Sequence, residues 1–214
     1  MRKQAIFLLL LVLFGACKFK GDKKTLPIYG NREPETKTVN GQQVTDTIYQ
    51  TIPAFKAANQ YGDSVGSKSL QNNIYVADFF FTTCPSICPV MQRNMLAVYK
   101  AFKDTADVKI ISFTIDPKHD SVPVLKKYAD NLGISGNSWW LLRGDRDTVY
   151  QLASSFLVGV KADSSTPGGY IHDGYFVLID KQKHIRGTYD GTDPKQVDQL
   201  VADIKMLKTE TTTK

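Results

Sequence analysis

Apolar and polar positions follow two periods along this chain, and each change of period marks an element. Residues 74–81 are a nearly unbroken run of β-branched and aromatic side chains, interrupted by Asp78. Such a run suits a central strand covered on both faces. It stops at Thr82 and Thr83. Beyond Cys84 and Cys88, the positions Val90, Met91, Met95, Val98, Tyr99 and Phe102 recur three and four apart and predict a helix. Pro89 fits its first turn, where a missing N–H removes no intrahelical bond. Residues 108–115 form a second apolar run, a parallel partner for the first because a helical crossover separates them. A helix over 121–131 ending at Gly133, a short strand over 139–142 and a helix over 145–156 follow. Residues 175–179 and 184–189 then alternate as an antiparallel hairpin across 180–183. Pro194 opens a last helix with Val197, Leu200, Val201, Ile204 and Leu207 on one face.

Upstream, residues 52–65 suggest a β-hairpin turning near Gly62 and Asp63. Residues 18–50 are polar, carry Pro27, Gly30, Pro34 and Gly41, and show no sustained apolar period; they read as a tether with a short strand near 37–50. The element order is that of a thioredoxin-like α/β domain: a central mixed β-sheet flanked by helices, with an N-terminal β-hairpin extension.

The amino terminus belongs to no core. Arg2 and Lys3 precede an apolar run over 5–14, too short to span a bilayer comfortably, which reads as a secretory signal. The run closes on Gly15, Ala16 and Cys17 and resembles a bacterial lipoprotein processing site with Cys17 lipidated, although Phe14 stands where a small or aliphatic residue is usual. The expected organisation is a signal peptide over 1–16, a lipidated N-terminus and polar tether over 17–50, a folded domain over 51–208 and a tail over 209–214. The product is expected to be an exported, membrane-anchored lipoprotein facing the periplasm or cell exterior. Removing Arg2 and Lys3 lowers the formal net charge from +6 to +4. The remaining cations lie scattered among acids, a distribution that argues against nucleic-acid binding.

Lipidation of Cys17 leaves Cys84 and Cys88 as an isolated pair outside the cytoplasm. Such thiols form a disulfide, hold a metal or cycle between these states. Cys88 lies at the helix start, where free N–H groups and the helix dipole are expected to favour its thiolate. The Cys-x-x-x-Cys spacing with a proline after each cysteine makes a loop wide enough to aim two sulfurs at one ion. Two soft sulfurs suit Cu(I), and an added nitrogen completes a site that also accepts Cu(II). Three histidines offer that nitrogen. His119 reads as a solvated loop residue, and His184 sits beside Lys183 and Arg186, poor company for a cation. His172 follows the flexible 166–169 segment, so a loop can carry it over the cysteines.

Three segments carry a resemblance to a known family: 79–91 around both cysteines, 112–120 ending Asp116-Pro-Lys-His-Asp120, and 170–180 around His172, continued by 185–191. Together they resemble the successive motifs of the Sco/SenC family over roughly residues 52–207. The resemblance implies a membrane-tethered thioredoxin-fold chaperone binding one copper through Cys84, Cys88 and His172. Its implied partner is the copper-bearing subunit of cytochrome c oxidase, or another copper protein, whose copper site it helps assemble. Ser86 and Ile171 stand where the family often has aspartate, with Asp173 on the far side of His172, departures expected to weaken support for the metal without removing a ligand.

Other readings remain open on the sequence. As a thiol–disulfide reductase, the chain would use Cys84 and Cys88 as a catalytic redox pair on the cysteines of an apo copper site. A peroxidase would need a hydroxyl residue and a proline where Phe81 and Ala77 stand. Met91 and Met95 read as a core stripe, as do Trp139 and Trp140. Asp116 is expected either to bond near the site or to cap the following helix. Buried Asp78 must find partners or titrate, and could relay protons.

Overall fold

The computed structural model describes residues 25–210, so the signal peptide expected over 1–16 and Cys17 lie outside the described residues. In chain order the elements are β1 (Arg32–Val39), β2 (Gln42–Tyr49), β3 (Lys56–Ala58), β4 (Ser64–Gly66), β5 (Ile74–Phe80), α1 (Cys88–Phe102), β6 (Val108–Thr114), α2 (Val122–Leu132), β7 (Trp139–Leu142), α3 (Arg146–Ser155), β8 (Val160–Ala162), β9 (Tyr170–His172), β10 (Tyr175–Ile179), β11 (Ile185–Asp190) and α4 (Pro194–Thr209). Among the described residues no helix is long and apolar enough to cross a membrane.

The central sheet has the order β11-β10-β5-β6-β7. The pairs β5–β6 and β6–β7 are parallel, whereas β10 runs antiparallel to both β5 and β11. This is the mixed sheet with flanking helices that the hydrophobic periods predict. Every residue of β5 is buried, which explains its lack of alternation. Alternate side chains still serve opposite faces. Phe80 meets Tyr128 of α2 at 5.5 Å and Asp78 meets Gln92 of α1, while Phe79 stacks on Phe113 at 5.4 Å and meets Phe156 edge-on at 5.7 Å. Gly133 ends α2 in the left-handed conformation, and Asp145 caps α3 through Thr148 N–H.

Two elements differ from the sequence reading. The stretch read as a tether holds a full hairpin, with β1 and β2 paired from Arg32 with Tyr49 to Val39 with Gln42. Its turn is Asn40-Gly41, both at positive φ (51° and 79°), a combination that favours a two-residue hairpin loop. Both strands are exposed along almost their whole length, so no one-sided apolar alternation advertised them. Preceding residues are also docked: Arg186 donates from Nη2 to the Leu26 carbonyl (2.6 Å) and from Nε to the Pro27 carbonyl (3.1 Å). The second difference is a small sheet of β8 and β9, which pairs Val160 with His172 and Ala162 with Tyr170.

Candidate metal centre

β5 ends where parallel strands present their carboxyl edge, the usual place for a site in an open α/β sheet. The chain leaves it through Phe81 and Thr82, and Asp120 fixes that exit. Its fully buried carboxylate accepts from Thr82 N–H (3.1 Å), the hydroxyls of Thr82 and Thr114, and His119 Nδ1 (2.9 Å). A buried carboxylate with four donors is well compensated. The result pins the entry to the cysteine loop.

Cys84 follows in a turn, its N–H donating to the Phe81 carbonyl (3.2 Å), and Cys88 begins α1 with Pro89 behind it. The two cysteines are buried to different depths, Cys84 at 8% exposed and Cys88 at 1%. Cys84 lines an open cleft of about 240 Å³ with Phe81, Ile87, Tyr170 and His172, and Cys88 is not in its lining.

The third member arrives on the two-stranded arm of β8 and β9, in place of the flexible loop expected from the sequence. Asp173 clamps the arm's base: its carboxylate accepts from Gly159 N–H (2.7 Å) and its own N–H donates to the Gly159 carbonyl (3.0 Å). The arm's tip lies on the cysteine loop. Gly168, at φ +90°, leaves so little room that a Cβ there would sit 2.9 Å from the Phe81 ring and 3.1 Å from Pro85. His172 Nδ1 donates to the Asp173 carbonyl (3.1 Å), which leaves the Nε2 lone pair directed at Cys88 Sγ, 3.1 Å away. Sγ of Cys84, Sγ of Cys88 and one ring nitrogen of His172 all lie within 4.8 Å of one another. Two thiol sulfurs and a neutral imidazole nitrogen are a donor set for a soft or borderline ion.

Electrostatics divides the pair against the sequence expectation. Burial pushes the Cys84 thiol up, but hydrogen bonds from the Cys88 thiol, the Ser86 and Cys88 amides and the Ser86 hydroxyl outweigh it, leaving Cys84 below the ordinary thiol range. Burial and the hydrogen bond to Cys84 drive Cys88 far above that range. Of the two sulfurs it is therefore Cys84, and not Cys88 as expected, whose surroundings favour the thiolate. The reason is geometric: free amides at the start of α1 point back at the preceding cysteine, while Cys88 lies within the first turn with its sulfur sealed below it. Burial also lowers the His172 pKa, which favours the neutral form of the ring, the form that can ligate.

The remaining candidates sort by position. His119 is tied to Asp120 at the root of the loop. His184 lies by the β10–β11 turn, at the opposite end of the sheet from the cysteines, with Nδ1 3.5 Å from Asp180. Met91 and Met95 are completely buried and belong to the core, as do Trp139 and Trp140. Asp116 bonds Tyr170 on the arm and accepts from His119 N–H (3.4 Å); Ser121 occupies the N-cap of α2 instead. Asp78 accepts from the Ser112 hydroxyl and from Gln92 Nε2 (2.9 Å), and Trp139 Nε1 donates to Ser112 (2.9 Å). Sequence reasoning missed Asp120 and the Asp173 clamp. Only the threonines flanking the strand ends hinted at the first, and an acid beside His172 at the second.

Comparison with known proteins agrees with this arrangement. A model of the SCO1/SenC family matches residues 43–209. An SCO1 protein homolog of Bacillus subtilis is 33% identical over 173 residues, covering 79% of this chain and 89% of that one. The structure of BsSco, a member of the Sco family of cytochrome c oxidase assembly proteins in which a disulfide switch was identified, superposes with a TM-score of 0.66 at 32% identity, covering 75% of this chain and 95% of that one. Copper-bound ScoI of Bradyrhizobium japonicum shares the fold, with a TM-score of 0.61 at 24% identity and coverage of 73% and 99%. The motifs around Cys84, Cys88 and His172, the sheet that carries them and the extent of these matches place this chain in the SCO1/SenC family.

Proposed function

We propose that this chain binds one copper ion as cargo through Cys84 Sγ, Cys88 Sγ and His172 Nε2 and passes it to the copper-bearing subunit of cytochrome c oxidase or to another copper protein. A lipid on Cys17 holds it to a membrane, with the domain facing the periplasm or cell exterior. The observation that carries the reading is the convergence of two sulfurs and an imidazole nitrogen within 4.8 Å. Copper-bound ScoI and the oxidase-assembly role of BsSco support the choice of metal and task. Anaerobic loading of the reduced chain tests it. X-ray absorption should report one copper per chain with two sulfurs and one nitrogen, the nitrogen lost in His172→Ala and one sulfur lost, with weakened binding, in Cys84→Ser. Absence of copper at stoichiometric loading would overturn the reading.

A second reading rests on the opposite shifts of the two thiols. Cys84 thiolate attacks a sulfur of a partner disulfide and expels the other as thiolate. Cys88 then gives up its proton and attacks the Cys84 sulfur, closing a Cys84–Cys88 disulfide and releasing the reduced partner. This route needs no imidazole. His172→Ala retaining full biological activity would favour it over copper delivery.

A further inference from the structure

Among the described residues, Lys56, Lys118, Arg143 and Arg146 form no ion pair within 4.0 Å, whereas Lys126, Lys181, Arg186 and Lys208 each pair with a carboxylate. The four gather along two adjoining grooves. One, of about 560 Å³, is lined by all four together with Asp145; the other, of about 480 Å³, is lined by Lys118, Arg146, Asp116 and Tyr170. Lys118 and Arg146 belong to both, and Tyr170 also lines the cleft at Cys84. A basic track thus runs from the far groove to the mouth of the metal centre.

The cations are held ready for an external anion. Arg143 Nε donates to the Pro117 carbonyl (3.0 Å), fixing the turn that carries Lys118, and the Arg146 guanidinium lies 5.1 Å from the centre of the Tyr150 ring. The two carboxylates in the track are engaged: Asp145 accepts from Thr148 N–H and hydroxyl (both 3.0 Å), and Asp116 bonds His119 N–H and Tyr170. On the opposite flank of the cleft the charge reverses, where Ile87 adjoins a hollow lined by Asp173 and Asp190. A molecule approaching Cys84 therefore has the cations Lys118 and Arg146 beyond Tyr170 on one side and the acids Asp173 and Asp190 on the other. Such asymmetry orients an encounter as well as speeding it.

We propose that the groove of Lys56, Lys118, Arg143 and Arg146 docks an acidic segment of the partner protein that exchanges metal or thiols with Cys84, turning that partner's reactive site toward the cleft. The proposal rests on the reading that this centre hands its cargo or electrons to a protein. A concave track lined by Lys56, Lys118, Arg143 and Arg146 suits a narrow acidic chain better than a plane of lipid headgroups.

The test needs no copper. Three synthetic peptides, each with one cysteine blocked as a mixed disulfide with thionitrobenzoate, carry flanking runs of aspartate, serine or lysine. Cys84 thiolate attacks the peptide sulfur, a protein–peptide disulfide forms, and the expelled thionitrobenzoate thiolate is read by its colour. At low salt the reduced chain should react about fivefold faster with the aspartate peptide than with the serine peptide, a preference lost at high salt. In Lys118→Glu/Arg146→Glu the serine rate should stay unchanged, verifying an intact fold and centre, while the order reverses in favour of the lysine peptide. An unchanged preference in the double variant would overturn the proposal. So would cosedimentation with phosphatidylglycerol vesicles that the double substitution abolishes while peptide preference stays the same, since the track would then be a membrane contact. Copper ligation is scored separately, so either reading can fail while the other stands.

Discussion

Replacing Asp78 by asparagine should make the protein more stable, and increasingly so as pH rises. The carboxyl is completely buried in β5, and burial outweighs the hydrogen bonds from Ser112 and Gln92, raising its pKa to about 7. A carboxyl whose folded pKa exceeds its unfolded value holds a proton more tightly in the folded chain. Its contribution is therefore intact below the unfolded value of 3.8 and is lost as pH climbs through 7. Linkage puts the change between pH 5 and pH 8 at about 2.5 kcal/mol. The surroundings already suit a donor at this position: Gln92 Oε1 is buried without a hydrogen-bond partner. Once the Gln92 amide turns over, the asparagine Nδ2–H can satisfy that oxygen while its Oδ1 still accepts from Ser112. Urea unfolding of the reduced, copper-free chain at pH 5, 6.5 and 8 measures the effect, with wild type subtracted from Asp78→Asn so that every other titrating group cancels. The difference should widen with pH by roughly 2 to 3 kcal/mol. A difference that stays constant from pH 5 to pH 8 would refute the reasoning, because Asp78 would then keep one protonation state throughout.

Asp120→Ala strands Thr82 N–H and the Thr114 hydroxyl in a buried site and should cost about 3 kcal/mol in chemical unfolding; it should also loosen the cysteine loop, read as faster amide exchange at residues 82–88. Asp173→Ala removes the acceptor for Gly159 N–H and should cost about 1 to 2 kcal/mol, with exchange of the Gly159 amide accelerated and nitrogen ligation of bound copper weakened, whereas Asp173→Asn, which keeps an oxygen acceptor, should restore most of both.

The main sheet was legible because burial on both faces leaves a simple mark. Residues 74–81 are almost wholly apolar and 108–115 rich in β-branched side chains, as interior strands are, and the helix between them keeps its three-and-four spacing through Phe102. The β1–β2 hairpin was illegible for the converse reason. Its strands are polar on both faces, so hydrophobic period carried no information and the single usable signal was the Asn40-Gly41 turn. The arm of β8 and β9 escaped notice because three-residue strands with mixed exposure generate no period at all. The position of His172 beside the cysteines was nonetheless anticipated, because it could be weighed against two other histidines with worse neighbours. The clamp that holds it depends on Gly159, fourteen residues away, a pairing that exists only after folding.

The assignment of the thiolate failed on a matter of one helical turn, and the correction links the centre to its surroundings. A helix start favours an anion lying just beyond its free amides. With a three-residue spacer, the residue at that point is the first cysteine, while the second is drawn into the helix and sealed. Cys84 is thus both the sulfur with the lowered pKa and the one lining the open cleft. His172, bonding toward Cys88, closes the inner side of the centre, which leaves the outer side, bordered by Tyr170, as the direction from which another protein's ligand can approach. That border also begins the basic track through Lys118 and Arg146. If exchange proceeds by stepwise replacement of ligands, Cys84 is the first to be displaced and Cys88 with His172 the last to let go. Cys84→Ser should accordingly leave a centre that releases copper rapidly through its open side, whereas Cys88→Ser should retain an accessible sulfur with a weakened hold from within. Competition with a chromophoric Cu(I) chelator measures both release rates, and equal rates in the two variants would refute this order of ligand exchange.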